Sequence, residues 1–166
     1  MADIQQIKKI IFFVNFLKKF PLILHILGRL KNMKNYKMNV NEYLSEETLG
    51  EITVGIGDDF GYMPFEEAEA NFAFVESIKK ENDFYIITIK IENEFNGETY
   101  QKEYTVQKGS KLELNAFEMP LMCFLPPEKV PALVEVLDVS ETSITLKTIG
   151  IEAEYAAKLD SKVSNS

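Results

Sequence analysis

The sequence predicts a mainly β protein, α+β overall, in which two short N-terminal helices precede an antiparallel β-sandwich or barrel of about eight short strands. Three observations carry this expectation. Beyond Glu51 apolar residues recur at every second position, and clusters of Gly, Asn, Asp, Ser and Pro bound each run. The gaps between runs leave no room for crossover helices, so neighbouring strands must pair antiparallel. Asn96-Gly97 stands between two such runs, where a two-residue type I′ turn needs positive φ at both central positions.

The chain has 166 residues, 46% hydrophobic and 27% charged, enough for one globular domain with a small appendage and too apolar for a disordered polymer. Charge is split along it. Met1 to Lys37 carries +7, with Asp3 as its one acid, whereas Met38 to Ser166 carries −15. Residue types change at the same place, which sets a boundary near Asn32 to Met38 and gives three segments: a basic apolar helical segment (1–37), an acidic antiparallel β-domain (38–159) and a polar, disordered tail (160–166).

In the first segment the apolar runs Ile10–Val14 and Leu22–Leu27 are too short to span a bilayer, which takes about 20 residues. The bulky Phe20-Pro21-Leu22 is unlike a signal-peptidase site. Pro21 suits the first turn of a helix and ends the preceding one, predicting helices over Ile4–Lys19 and Pro21–Asn32. At 100° per residue Ile4, Ile7, Ile11, Phe13, Val14 and Leu17 share a face. Phe12 and Phe16 point instead into the polar face, with Lys8, Lys9, Lys19, Gln5 and Asn15, and Lys18 precedes Lys19 in the sequence as a further cation: two phenylalanines and four lysines. Those six residues are therefore candidates for contact with a partner protein or a membrane surface, the bland alternative being packing on the rest of the chain.

Candidate strands follow at Ile52–Ile56, Asn71–Ile78, Phe84–Phe95, Glu98–Val106, Leu112–Leu114, Met119–Phe124, Ala132–Val139 and Ser143–Ile149. Phe84-Tyr85-Ile86-Ile87 is apolar on both sides and predicts a central strand. Tyr100, Lys102, Tyr104 and Val106 share one face, with Gln101, Glu103 and Thr105 on the other. Lys79–Asp83 and Asp138–Ser143 read as longer hairpin loops. Gly55–Pro64 and Leu125–Pro131 read as irregular connections, the second stiffened by its prolines. A faint echo links Phe74–Lys90 to Leu133–Lys147, which is also what any two β-hairpins share.

Chemistry-bearing residues are sparse. One Cys (Cys123) and one His (His25) exclude an internal disulfide and a structural zinc site. Asp58, Asp59, Glu66, Glu67 and Glu69 form the densest carboxylate group, but their spacing lacks the alternating donors of an EF-hand, so they predict a solvated acidic binding loop with no metal. Asp59-Phe60-Gly61 lacks the rest of a kinase, and Gly55-Ile56-Gly57 is followed by acids that repel phosphate. The −15 body argues against nucleic acid. The expectation is therefore a non-enzymatic, cofactor-free interaction module of inhibitor or adaptor type, cytoplasmic, whose acidic β-domain binds a basic partner protein. The alternatives are a peripheral membrane protein anchored by its basic helices and a β-barrel that binds a small apolar ligand.

Overall fold

The computed structural model describes residues 35–64, 72–118 and 128–165. The two expected N-terminal helices and the strand expected over Met119–Phe124 lie outside them. The chain divides between Lys34 and Asn35, and the account that follows concerns the unit beginning at Asn35.

In chain order the elements are β1 (Tyr36–Lys37), a 3-10 turn (Val40–Glu42), the one-turn helix α1 (Glu46–Leu49), β2 (Glu51–Gly55), β3 (Tyr62–Pro64), β4 (Phe72–Glu81), β5 (Phe84–Glu92), β6 (Thr99–Val106), β7 (Lys111–Glu118), β8 (Glu128–Val139), β9 (Ser143–Glu152) and helix α2 (Ala153–Ser164). Among the described residues nine strands form two sheets, all paired antiparallel. The larger runs β1-β9-β8-β7-β3, with β2 beside β1 on the same edge of β9; the smaller runs β4-β5-β6. The apolar strand starting at Phe84 is the middle one of its sheet.

Alternation explains which faces are buried. In β8, Val130, Ala132, Val134 and Val136 are buried while Pro131, Leu133, Glu135 and Leu137 are half-buried. In β5, Ile87, Ile89 and Ile91 are buried and meet Ala132, Val134, Ile144 and Leu146 of the other sheet in one apolar cluster. Burying each such side chain contributes about 1.5–3 kcal/mol. The same face of the larger sheet has a second cover at its far end, where Val130 and Ile151 pack against Val40 and Leu44 and against Ala156 of α2.

The larger sheet is strongly curled. Tyr62 on β3 and Thr148 on β9 are separated by β7 and β8, about 14 Å in a flat sheet, yet their hydroxyls lie 3.1 Å apart. The curl brings β3 round towards β2: a Cβ added at Gly61, which has φ +73, would stand 2.8 Å from Ile52 Cδ1. The connection between β2 and β3 also pairs with β4, through Gly57 N–H to Val75 O (2.7 Å), Val75 N–H to Asp58 O (3.1 Å) and Phe60 N–H to Ala73 O (2.7 Å).

Several expectations are corrected. Asn96-Gly97 does lie in a hairpin, but not as a two-residue type I′ turn. Glu92 pairs with Thr99, Asn93 N–H donates to Glu98 O and Gly97 N–H to Asn93 O, both 2.9 Å, and within the loop Gly97 alone has positive φ, +70. Asn93 Oδ1 accepts from Phe95 N–H and Asn96 Oδ1 from Glu98 N–H, so side-chain turns hold the wider loop without a left-handed Asn96. The tight turn is at Asn82-Asp83, inside the expected long loop: Glu81 pairs with Phe84 and Asn82 takes φ +53, which Asn tolerates better than most residues.

Gly55–Pro64, expected as irregular, contains β3, and Glu128–Pro131 belong to β8 and not to a proline-stiffened connection. Pro131 is tolerated because Ala132↔Ile151 is the last pair between β8 and β9, so its missing N–H breaks no ladder on that side. Tyr36 and Lys37, grouped by charge with the N-terminal segment, pair with Glu152 and Ile151. Residues 160–164, expected as disordered tail, continue α2, because Tyr155, Ala156 and Leu159 have an apolar cluster to pack on. Ser161, Ser164 and Asn165 return hydrogen bonds to the helix's carbonyls. Lys37 Nζ donates to Tyr43 Oη at 2.9 Å and stands 3.6 Å from Asp160 Oδ2, tying β1 to α2. The sequence echo falls in different sheets and is not a structural repeat in register: Val75 pairs with Ile89, whereas Val134 pairs with Thr148 and not with Leu146.

Gly57 and Gly61 both have positive φ, but an added Cβ at Gly57 would meet nothing within 4 Å. Gly57→Ala is expected to cost about 1–2 kcal/mol from backbone strain alone, and Gly61→Ala to cost more because Ile52 must also move. Denaturant unfolding of the two variants checks this; equal losses would show that the closing contact carries no stability.

Candidate interaction surface

Phe95 is 90% exposed at the tip of the β5–β6 hairpin, between Glu94 and Asn96. One exposed aromatic is ordinary; its surroundings are not. Glu92 pairs with Phe72 across β4 and β5, and Lys90 pairs with Phe74, so these two rings stand on the outer face of the smaller sheet at the end where the hairpin begins. They stack at 6.2 Å between centroids, and Phe72 remains 43% exposed.

Carboxylates surround these rings. Asp59 bridges to Phe74 along the edge of β4, and Asp58, Glu76 and Glu98 are exposed at the same end, with Glu92 half-buried. The described cation among them is Lys90, whose Nζ lies 2.6 Å from Glu92 Oε1. That hydrogen bond, then the charges of Glu92 and Glu76, hold the Lys90 ammonium above its ordinary pKa. Gln101 Nε2 donates to Glu76 Oε2 across the sheet. Carboxylates at positions 58, 59, 76, 92, 94 and 98 thus gather at this end of the smaller sheet, with Lys90 paired to Glu92 among them.

The outer face of the larger sheet is balanced instead. Register places Lys111 opposite Glu135, Glu135 opposite Lys147, and Lys147 opposite Glu51, an alternation that suits cross-strand neighbours. Net negative charge is therefore concentrated away from that face.

Of the expected acidic loop, Asp58 and Asp59 join this surface. Both also shape their own turn, Asp58 Oδ2 accepting from Gly55 N–H and Asp59 Oδ1 from Gly61 N–H, each at 2.9 Å. Glu66, Glu67 and Glu69 lie outside the described residues, as do Lys8, Lys9, Phe12, Phe16, Lys18, Lys19, His25 and Cys123. Sequence reasoning missed Phe72, Phe74 and Phe95. The available signal was Phe95 itself, a large apolar side chain set directly before a turn pair and flanked by acids, where loops are ordinarily polar.

A second feature lies on the inner side. Ser45, Glu47, Thr48, Ile52, Gly61, Tyr62 and Ala116 line a cleft of 190 Å³ beside α1. Of its lining residues, Tyr62 is held by the buried hydrogen bond to Thr148. Burial raises the Tyr62 phenol above its ordinary pKa and the Thr148 bond partly opposes this, so the phenol is neutral at physiological pH and serves as a structural link. Among the described residues no group of three or more His, Cys, Asp or Glu is placed to hold a metal ion, and no helix is long and apolar enough to cross a membrane.

Comparison with protein-family models, with curated proteins and with solved structures gave no match.

Tyr62→Phe leaves the buried Thr148 hydroxyl without its partner and is expected to cost about 1–3 kcal/mol; adding Thr148→Val should recover most of that, because both polar groups then leave together. The Tyr62 phenol also sets a pH dependence. Its folded pKa lies above the ordinary phenol value of about 10, so the stability it adds is complete below about pH 10 and is lost as pH rises through the folded value. Chemical denaturation across that range should show a shallower alkaline fall in the Phe variant; an unchanged slope would exclude Tyr62 as a contributor.

Proposed function

We propose that this chain is a non-enzymatic protein-interaction module, of inhibitor or adaptor type, whose acidic β unit binds a basic partner protein. The observation that carries the proposal is Phe95, exposed at a hairpin tip with Phe72 and Phe74 near the hairpin's base, Glu76 and Glu92 on the strands beside them and Asp58, Asp59, Glu94 and Glu98 in the adjoining loops. The physics of such a surface has two parts. Carboxylates accelerate encounter with a cationic surface and reject an anionic one. Aromatic side chains then supply the apolar area that holds the complex, as anchors commonly do at interface centres. The Phe faces also attract ammonium and guanidinium groups, so apolar and electrostatic terms favour the same partner.

The proposed fold for this role is a curled sheet and a smaller sheet around one core, preceded by the amphipathic helices read from residues 4–32. Catalysis is not part of the proposal: the cleft is lined by hydroxyl groups and one carboxylate, and its tyrosine is engaged with Thr148.

The test uses the full chain against a displayed library of random peptides. Selected peptides are expected to be rich in Lys and Arg, and their affinity to fall steeply with salt. Phe95→Ala should weaken the best of them about tenfold or more, and Glu98→Lys should act mainly by slowing association. Selection of acidic or uncharged peptides, or affinities that ignore both substitutions, would overturn the proposal.

A further inference from the structure

We propose that Asn96 is a site of spontaneous deamidation and isomerisation, and that the hydrogen bonds of its hairpin set the rate. The chemistry needs a backbone nitrogen that can reach the preceding side-chain amide. Of all the asparagines in the chain, Asn96 alone precedes a glycine, whose lack of a side chain leaves that approach unhindered. The Gly97 nitrogen attacks Asn96 Cγ, forming the five-membered succinimide and expelling ammonia. Water then opens either carbonyl of the ring, giving aspartate or, with the backbone rerouted through the side chain, isoaspartate. Water is the co-reactant, no oxidant or reductant enters, and the product carries one carboxylate where an amide stood.

Three hydrogen bonds oppose the first step. Gly97 N–H, the group that must lose its proton and attack, donates to Asn93 O at 2.9 Å. Asn96 Oδ1 accepts from Glu98 N–H at 2.9 Å, and Asn96 Nδ2 donates to Glu98 Oε2 at 3.1 Å, so both ends of the amide are held on the residue beyond the glycine. Asn96, Gly97 and Glu98 are exposed and Asn93 is half-buried, and local opening is easy in such a loop. The folded hairpin therefore slows the reaction without abolishing it. The modification would place a further negative charge, and in the isoaspartate form an extra backbone carbon, next to Phe95. The chemistry stands independently of the binding proposal; only its effect on binding rests on that reading.

The experiment incubates the full chain at mildly alkaline pH in isotopically heavy water, folded and in urea, and locates the converted residue by peptide mass spectrometry. The label is expected first at Asn96, about tenfold more slowly in the folded chain, the amount that giving up one or two such bonds represents. Glu98→Ala, which removes the Nδ2 partner, should narrow the gap while circular dichroism shows the sheets intact, and Gly97→Ala should suppress labelling in both states. Conversion appearing first at another asparagine, or equal rates folded and unfolded, would overturn the inference. Peptide binding is read separately on the converted chain, so a failure of the binding proposal leaves the mass result unaffected.

Discussion

The curl of the larger sheet, closed by the buried Tyr62–Thr148 hydrogen bond, governs the architecture. A sheet curled far enough to bring Tyr62 within hydrogen-bonding distance of Thr148 brings the segment before β3 against the Ile52 side chain of β2, whose terminal methyl would have to shift to admit a β-carbon at Gly61. Once the curl is fixed, the concave face holds two sets of side chains in sequence: those covered by β4, β5 and β6, and those covered by α1, α2 and the turn at Val40. The Tyr62–Thr148 bond is buried within this concave face, and Tyr62 also lines the cleft beside α1. A neutral, buried, mutually satisfied pair suits that position, because it fixes the geometry without the desolvation cost of a charge.

The distribution of charge follows from the same arrangement. Strands whose convex side faces water can alternate lysine and glutamate across neighbours, and the series Lys111, Glu135, Lys147, Glu51 does so over four strands. Such a face has little net field. The excess of acid sits elsewhere among the described residues, and one concentration of it lies where the β2–β3 connection, the bulged strand β4 and the β5–β6 loop converge. There it coincides with three phenylalanine rings, a combination that internal packing does not account for, since Phe95 touches solvent over nearly all of its surface.

Much of the sheet content was legible because it depends on local alternation. Tyr100, Lys102, Tyr104 and Val106 face inward as their spacing implies, and the apolar start of β5 marks it as a central strand. Elements decided by distant partners were not legible. Tyr62-Met63-Pro64 is three residues long and buried throughout, so it offers no two-residue pattern, and β1 is a strand only because β9 is beside it. The two hairpin loops exchanged their expected lengths, since turn type depends on which side chains cap the loop and not on the Asn-Gly pair alone. Of the candidate site, the carboxylates at 58 and 59 were visible as a cluster; their neighbours Phe72, Phe74 and Glu92 come from other strands and meet them only through pairing.

β9 carries β8 along one edge and both β2 and β1 along the other, while Ala153 N–H donates to Asn35 O at 2.8 Å just beyond it. The first and last portions of the β unit thus share a single ladder. During ribosomal synthesis Tyr36 and Ile52 emerge long before the strand that pairs with them, so this sheet cannot zip up from its N-terminal side as the chain grows. Its assembly waits for β9, with long loop closure as the slow event, and the early strands depend on being short to avoid pairing with the wrong neighbour while they wait.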